Sequence, residues 1–261
     1  MSAKTILITG ATDGLGRGVA QALAGQEHTL LLHGRSQERL DAVAGTLNTT
    51  VRTYRADLAS LTAVRGLSEE LLASENRIDV LLANAGIGGG ARQESVDGYE
   101  LNFAVNYLSQ FLLITRLLDR LRASAPARIV LVSSLGQAPI DFDDVMLEHG
   151  YEGMRAYCQS KLAQIAFGFR LADRLDPAEV TVTSLHPATL MPTKMVLTEG
   201  GRPLDSLERG VAATTRLAVD PELEGATGVF CDREHQASPH PWAADPEVQE
   251  RLWQLSEQLT T

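Results

Sequence analysis

The sequence predicts an α/β fold with a parallel sheet covered by helices on both faces. Three observations carry this. Short apolar runs alternate with stretches of helical spacing along the whole chain. Several runs are apolar at successive positions, as strands buried on both sides must be. Most runs stop at Gly, Asn, Ser or Asp, which end strands and open turns.

Residues 5–9 form the first run, ended by Gly10, and residues 15–24 follow as a helix stopped by Gly25. Residues 29–33 are the second strand, and Ser36 is placed to cap a helix over 37–47. Residues 51–55 are the third strand, and Ser60 opens a helix to about residue 74. The fourth strand, 78–83, runs into Asn84-Ala85-Gly86, and residues 98–122 are strongly helical. Residues 128–133 are the fifth strand, and 162–175 continue a helix that starts near Tyr157. Residues 180–186 are the sixth strand, 207–219 a helix, 227–231 a short last strand, and 246–259 a closing helix. Right-handed crossovers among about seven such strands leave a doubly wound, Rossmann-type sheet as the leading topology. Residues 1–261 read as a single domain, with no repeat, linker or low-complexity tract.

Composition excludes several function classes. The net charge of −10 argues against nucleic acid or an anionic membrane as partner. Cys158 and Cys231 lie far apart without metal-like spacing, so neither a disulfide framework nor a metal site is expected. No apolar run approaches the roughly 18 residues of a membrane span. Met1-Ser2-Ala3-Lys4 lacks the shape of a signal peptide, so a cytoplasmic location is the expectation.

In such sheets ligands bind beyond the carboxyl ends of the strands, so the residues following each strand are the candidates. After the first strand stands Thr9-Gly10-Ala11-Thr12-Asp13-Gly14-Leu15-Gly16. Its glycines permit close approach to a pyrophosphate on the helix N-terminus, although the spacing is not G-x-G-x-x-G. After the second comes Gly34-Arg35, with no acid to accept from a ribose hydroxyl; Arg35 suits a 2′-phosphate, which favours NADP(H) over NAD(H). Asp57 and Leu58 follow the third strand, where the Asp57 carboxylate can meet an adenine amino group or simply shape a turn. Asn84, Ala85 and Gly86 bring bare backbone to the sheet edge, and Ser133 and Ser134 place hydroxyls there.

Tyr157 and Lys161 stand four residues apart, on one helical face. A free phenol titrates near about 10, and an adjacent ammonium lowers that value. Such a phenol becomes usable as a general acid and base.

Together these residues resemble the short-chain dehydrogenase/reductase family over essentially the whole chain. Thr9, Gly10, Gly14 and Gly16 match its glycine pattern, and Asn84-Ala85-Gly86 matches its Asn-Ala-Gly. Asn106 matches its helix asparagine, Ser134 its strand-end serine, and Tyr157 with Lys161 its Tyr-x-x-x-Lys. Residues 104–108 and 111–113, Arg128-Ile129-Val130, 157–163 and the tail 251–256 resemble most the retinol-dehydrogenase-like and protochlorophyllide-reductase-like branch. The resemblance implies an NADP(H)-dependent carbonyl reductase or alcohol dehydrogenase acting on a small molecule. It implies that Tyr157 transfers the proton, Ser134 holds the substrate oxygen, Lys161 holds the nicotinamide ribose and Asn106 positions a relay water.

Two departures stand out. Pro187-Ala188 replaces the family's Pro-Gly, and Thr193, the residue expected at the nicotinamide amide, sits one position late. Alternatives are a cofactor-binding sensor without catalysis, or a C=C reductase or epimerase on the same scaffold.

Most of the substrate pocket is expected from 135–155 and 188–204, which carry Ile140, Phe142, Val145, Met146, Leu147, Met154, Leu190, Met191, Met195 and Val196. Ser134 and Tyr157 lie 23 residues apart, about ten more than in compact family members by resemblance. The extra chain is expected to bulge beside the pocket mouth, with a helical turn at Val145, Met146 and Leu147. Asp141, Asp143, Asp144 and Glu148 read as a solvated face. The excursion is expected to crowd the family's tetramer contact and favour a monomer or homodimer.

Overall fold

The computed structural model describes residues 3–198 and 200–261; Met1, Ser2 and Glu199 lie outside the described residues. One eight-stranded sheet runs in the order β3-β2-β1-β4-β5-β6-β7-β8. The strands are β1 (Thr5–Ile8), β2 (Thr29–Gly34), β3 (Val51–Arg55), β4 (Val80–Ala83), β5 (Ala127–Val132), β6 (Val180–His186), β7 (Val229–Asp232) and β8 (His235–Ala237). All neighbours pair in parallel except β7 and β8, which form an antiparallel hairpin. The chain order reverses between β1 and β4, which makes the crevice there the switch point where ligands bind.

Helices α1 (Gly14–Ala24), α2 (Gln37–Ala44) and α7 (Leu207–Val219) cover one face over a core that includes Ile6, Ile8, Leu30 and Leu32. The opposite face packs against α3 (Leu61–Ser74), α4 (Ser109–Ala123), α5 (Gly153–Asp173) and α9 (Pro246–Leu259) over Leu7, Leu31, Leu81 and Leu131. The strand residues alternate between these two cores, as a pleated sheet buried on both sides requires. Aromatic rings lock the second layer together: Phe111 meets Phe167 at 5.2 Å and Trp253 at 5.2 Å between centroids. Ser36 and Ser60 cap α2 and α3 by accepting from Arg39 N and Ala63 N.

Four details add to or differ from the expectations. First, β8 is an added antiparallel edge strand, too short and polar to carry a strand signal. Second, the predicted helix over 98–122 begins irregularly and passes through a π-helical segment, Phe103–Leu108, before α4. The buried carboxylate of Glu100 accepts from Asn102 N at 3.0 Å and Phe103 N at 2.7 Å, replacing the missing first turn.

Third, Val145, Met146 and Leu147 form a turn, not a helix. Leu147 N donates to Asp144 O at 2.9 Å, and Leu147 sits fully buried at φ 47°. Burial of that side chain offsets a backbone conformation few leucines adopt. Fourth, the acidic group is not simply a solvated face. Asp144 accepts from Glu148 N at 2.8 Å and His149 N at 2.9 Å, and Asp141 pairs with Arg155 at 2.8 Å. Tyr151 anchors the end of the excursion by donating to Glu100 at 3.2 Å.

Ile140 and Leu147 are buried, and Phe142, Val145 and Met146 pack against the same core; Met191 packs against the other. Ile140 and Leu147, expected in the pocket, are thus core residues, while the other four are only partly buried. The remaining short helices are α6 (Lys194–Thr198) and α8 (Pro241–Ala244).

Candidate active site

The first strand delivers Gly10 at φ 67° and Gly14 at φ 48°, both in the left-handed region that side chains resist. A Cβ at Gly16 would lie 2.3 Å from the Gly10 carbonyl oxygen and 2.5 Å from Asn84 Nδ2, so only glycine lets α1 start this close to the turn. Asp13 caps α1 by accepting from Gly14 N at 2.7 Å, which commits its carboxylate to the helix end. Thr12 packs toward Gly34, where a Cβ would approach its γ-methyl to 2.7 Å. Leu15 and Leu58 are buried, so each offers a ligand its backbone rather than its side chain.

Asn84 does more than expose backbone. Its Nδ2 donates to Thr9 O at 2.8 Å and Gly10 O at 3.2 Å. The Thr9 hydroxyl accepts from Asn84 N and Ala85 N, each at 3.0 Å. This splint ties β4 to the glycine turn.

From the other side, His33 Nδ1 accepts from Gly10 N at 3.3 Å, so Nε2 carries the hydrogen and donates to Ala56 O at 3.2 Å. Burial pushes the His33 imidazole down to about 4, so it is neutral at ordinary pH. His33 is a site residue the sequence reading missed; a lone histidine at a strand end carries no pattern.

Arg35 is exposed and makes no ion pair among the described residues. Arg55, also exposed, pairs in register with Gly34 at the carboxyl end of β3. Parallel register puts it on the same side of the sheet as Thr53, whose hydroxyl meets Gln37 of α2 at 3.0 Å. The only sequence signal for Arg55 was a basic residue ahead of Asp57. Asp57 itself accepts from Ala59 N at 3.0 Å, as a turn residue does, and remains exposed.

The residues expected to be catalytic, and Gly86 beside them, come from the ends of β4 and β5, the π-helical segment and α5. Asn106 is fully buried; its Oδ1 accepts from Ile87 N at 2.8 Å, and its Nδ2 donates to Ile87 O at 3.1 Å and Ser160 Oγ at 2.9 Å. Ser134 Oγ accepts from Gly136 N at 2.9 Å. A Cβ built on Gly136 would lie 3.4 Å from Ser134 Oγ and 3.7 Å from Tyr157 Cε1, so serine and tyrosine flank one small space. Gly86 likewise lies between Asn106 Oδ1 and Lys161 Nζ, 3.2 and 3.4 Å from where its Cβ would be.

Lys161 is buried, and its ammonium lies 5.8 Å from the Tyr157 ring centroid. It donates to Val132 O at 2.9 Å and Gln164 Oε1 at 3.4 Å. Burial pushes it down to about 8.

Thr193 lies over the glycine turn, its γ-methyl 3.1 Å from where a Gly14 Cβ would stand. Ala188, in place of the family's glycine, needs no positive φ; further along the loop Leu190 takes φ 46°. Asp205 holds that turn, accepting from Thr189 N at 2.8 Å and Arg233 Nη2 at 2.6 Å. These bonds hold the Asp205 carboxyl well below the usual carboxylate range. His186 is a packed strand-end residue: it is buried, bonded to Thr189 Oγ1 at 3.0 Å, and lowered by that burial.

Comparison with known proteins decides the family. The short chain dehydrogenase family model matches residues 4–200. The chain is 37% identical to retinol dehydrogenase 13 of Mus musculus over 98% of this chain and 83% of that protein. It is 36% identical to retinol dehydrogenase 14 of Homo sapiens over 98% and 86%. The chain belongs to the short-chain dehydrogenase family. Within it, the chain falls in the retinol-dehydrogenase-like branch of oxidoreductases. A crystal structure of an uncharacterized protein from Mycobacterium paratuberculosis superposes with a TM-score of 0.81 at 28% identity, covering 98% of this chain and 93% of that one.

The family binds nicotinamide dinucleotides, and the glycine turn of this short-chain dehydrogenase has the matching cradle. Gly16→Ala is therefore expected to weaken dinucleotide binding about tenfold or more, because the added methyl displaces backbone at the turn. Fluorescence titration with NADPH would check it; unchanged affinity in a folded variant would show that the turn does not hold the dinucleotide. Among the described residues, no helix is long and apolar enough to cross a membrane.

Proposed function

We propose that this chain is an NADP(H)-dependent oxidoreductase that moves a hydride between the nicotinamide and a carbonyl or alcohol carbon of a small, apolar molecule. The observation that carries the reading is the convergence of Ser134 Oγ and Tyr157 on one space at Gly136, with Lys161 Nζ behind the tyrosine. A bound nicotinamide would supply or accept the hydride. The protein supplies the proton and the positioning.

In reduction, Tyr157 gives its phenolic proton to the substrate oxygen as charge develops there; in oxidation it takes that proton back. Ser134 donates a hydrogen bond to the same oxygen. The Lys161 ammonium favours the tyrosinate and offers its remaining N–H to the nicotinamide ribose. Asn106 fixes Ile87 and Ser160, keeping the floor of the site in place; by family resemblance it would also position a relay water.

Gly10, Thr12, Asp13, Gly14, Leu15, Gly16, Asn84, Ala85, Gly86 and Thr193 would hold the pyrophosphate and nicotinamide end of the cofactor. Asp57 and Leu58 border the adenine. Arg35 meets the 2′-phosphate, and Arg55 lies on the next strand. The exposed Leu135, Met154 and Leu190 suit an apolar substrate, as do relatives named for retinol. We read the whole chain as one domain, cytoplasmic, and monomeric or dimeric.

Purified protein with NADPH and a panel of apolar aldehydes and ketones, and with NADP⁺ and retinol or other alcohols, tests the reaction. No turnover across the panel would overturn it. The pH dependence has a defined sign. The protonated ammonium is the useful form, and Lys161 loses its proton through about 8. Hence kcat/KM is expected to fall as pH rises past about 8, since that ratio reports the free enzyme. A profile flat to pH about 10 would remove Lys161 from the mechanism.

A further inference from the structure

Behind Lys161, α5 carries Gln164, fully buried, with Oε1 3.4 Å from the ammonium. Only an acceptor can face an ammonium, so chemistry fixes this amide: Oε1 toward Lys161 and Nε2 away. That Nε2 has no hydrogen-bond partner among the described residues. On α4, Gln110 is also fully buried, and neither of its amide atoms has a partner.

The two helices run in the same direction here. Asn106 meets Ser160 at 2.9 Å, and further along Phe111 meets Phe167. Gln110 and Gln164 each lie four residues beyond the first pair and short of the second. Both glutamines therefore lie on the stretch between these two contacts, one on each helix. Unsatisfied buried amides are rare, and an ordered water with about two to four polar partners satisfies them.

We propose that Gln164 is a positioning residue for Lys161, and that water held between Gln110 and Gln164 completes a buried hydrogen-bonded chain ending at the ammonium. Facing that ammonium are Tyr157 on its own helix, Gly86 and Asn106 from the sheet edge and π-helical segment, and the Val132 carbonyl of β5. Tyr157 is the titratable group among them. Val132 O and Gln164 Oε1 take two of the three N–H groups and aim the third away from the helix core. A neutral amide does this without drawing the ammonium into an ion pair. The proposal rests on the reading of Lys161 as part of the reacting site, but its test does not need turnover.

The chain has three lysines, Lys4, Lys161 and Lys194, so a protein labelled with ¹³Cε-lysine gives few signals to follow through a pH titration. Lys161→Met assigns the buried one. Gln164→Met keeps the volume and removes the acceptor, so the Lys161 midpoint is expected to drop by about one pH unit. Gln164→Glu places a carboxylate there and is expected to raise it. Gln110→Leu is expected to lower it by less than Gln164→Met does.

Opposite shifts in the two Gln164 variants are what a mere packing role would not give. Midpoints that stay put, or move the same way in both, overturn the positioning role; an unchanged midpoint in Gln110→Leu overturns the water chain. Opposite shifts in a protein that turns over no carbonyl would support Gln164 and count against the functional reading instead.

Discussion

Tyr157→Phe is expected to lower turnover by about 10²–10⁴, the usual worth of a positioned general acid. Cofactor affinity should stay within a few-fold, because the glycine turn, Asn84 and the β2 end lie elsewhere along the sheet edge. The fold should survive: the ring is only half-buried, and phenylalanine keeps its packing beside Gly136. What the variant loses is the hydroxyl that carries the proton, with Ser134 and Lys161 left in place. Steady-state kinetics alongside an NADPH titration separate the two effects. Near-normal turnover in a folded Tyr157→Phe protein would end the mechanism proposed above.

Arg35→Asp is expected to weaken NADPH binding by roughly 10²-fold, from the loss of a charge-assisted hydrogen bond of about 1.5–3 kcal/mol plus new repulsion. NADH, which lacks the 2′-phosphate, should bind the variant at least as well as it binds the wild type. The side chain is exposed and without an ion pair among the described residues, so little stability is at stake. Binding isotherms for both nucleotides at fixed salt decide the matter, because surface charge effects are screened. Equal affinity of the wild type for NADH and NADPH would remove Arg35 from the 2′-phosphate site.

The alternation of strands and helices, the caps at Ser36 and Ser60 and the closing helix over 246–259 are local properties, and local patterns specify them. The same holds for Gly10, Gly14 and Gly16, since a positive φ or a close backbone approach leaves glycine as the one residue that fits. One helical turn sets Tyr157 and Lys161 on one face, but that spacing is common; the family's motifs in order from Thr9 to Lys161 are what singled the pair out. So the sequence by itself determined the order of strands and helices and the glycine turn between β1 and α1.

Only the tertiary structure decided what surrounds them. His33 and Asn84 became supports of the glycine turn through contacts between segments remote in sequence. Asp205 and Arg233 clamp Thr189 from segments remote in sequence. Ile140 and Leu147 left the expected pocket for the core, since an apolar loop residue has the same pattern whether it faces a ligand or the sheet. Gln110 and Gln164 stand out only once folding has buried both with amide atoms unpartnered among the described residues. Spacing along one chain reports which groups share a face; which groups meet across faces depends on packing that no single segment encodes.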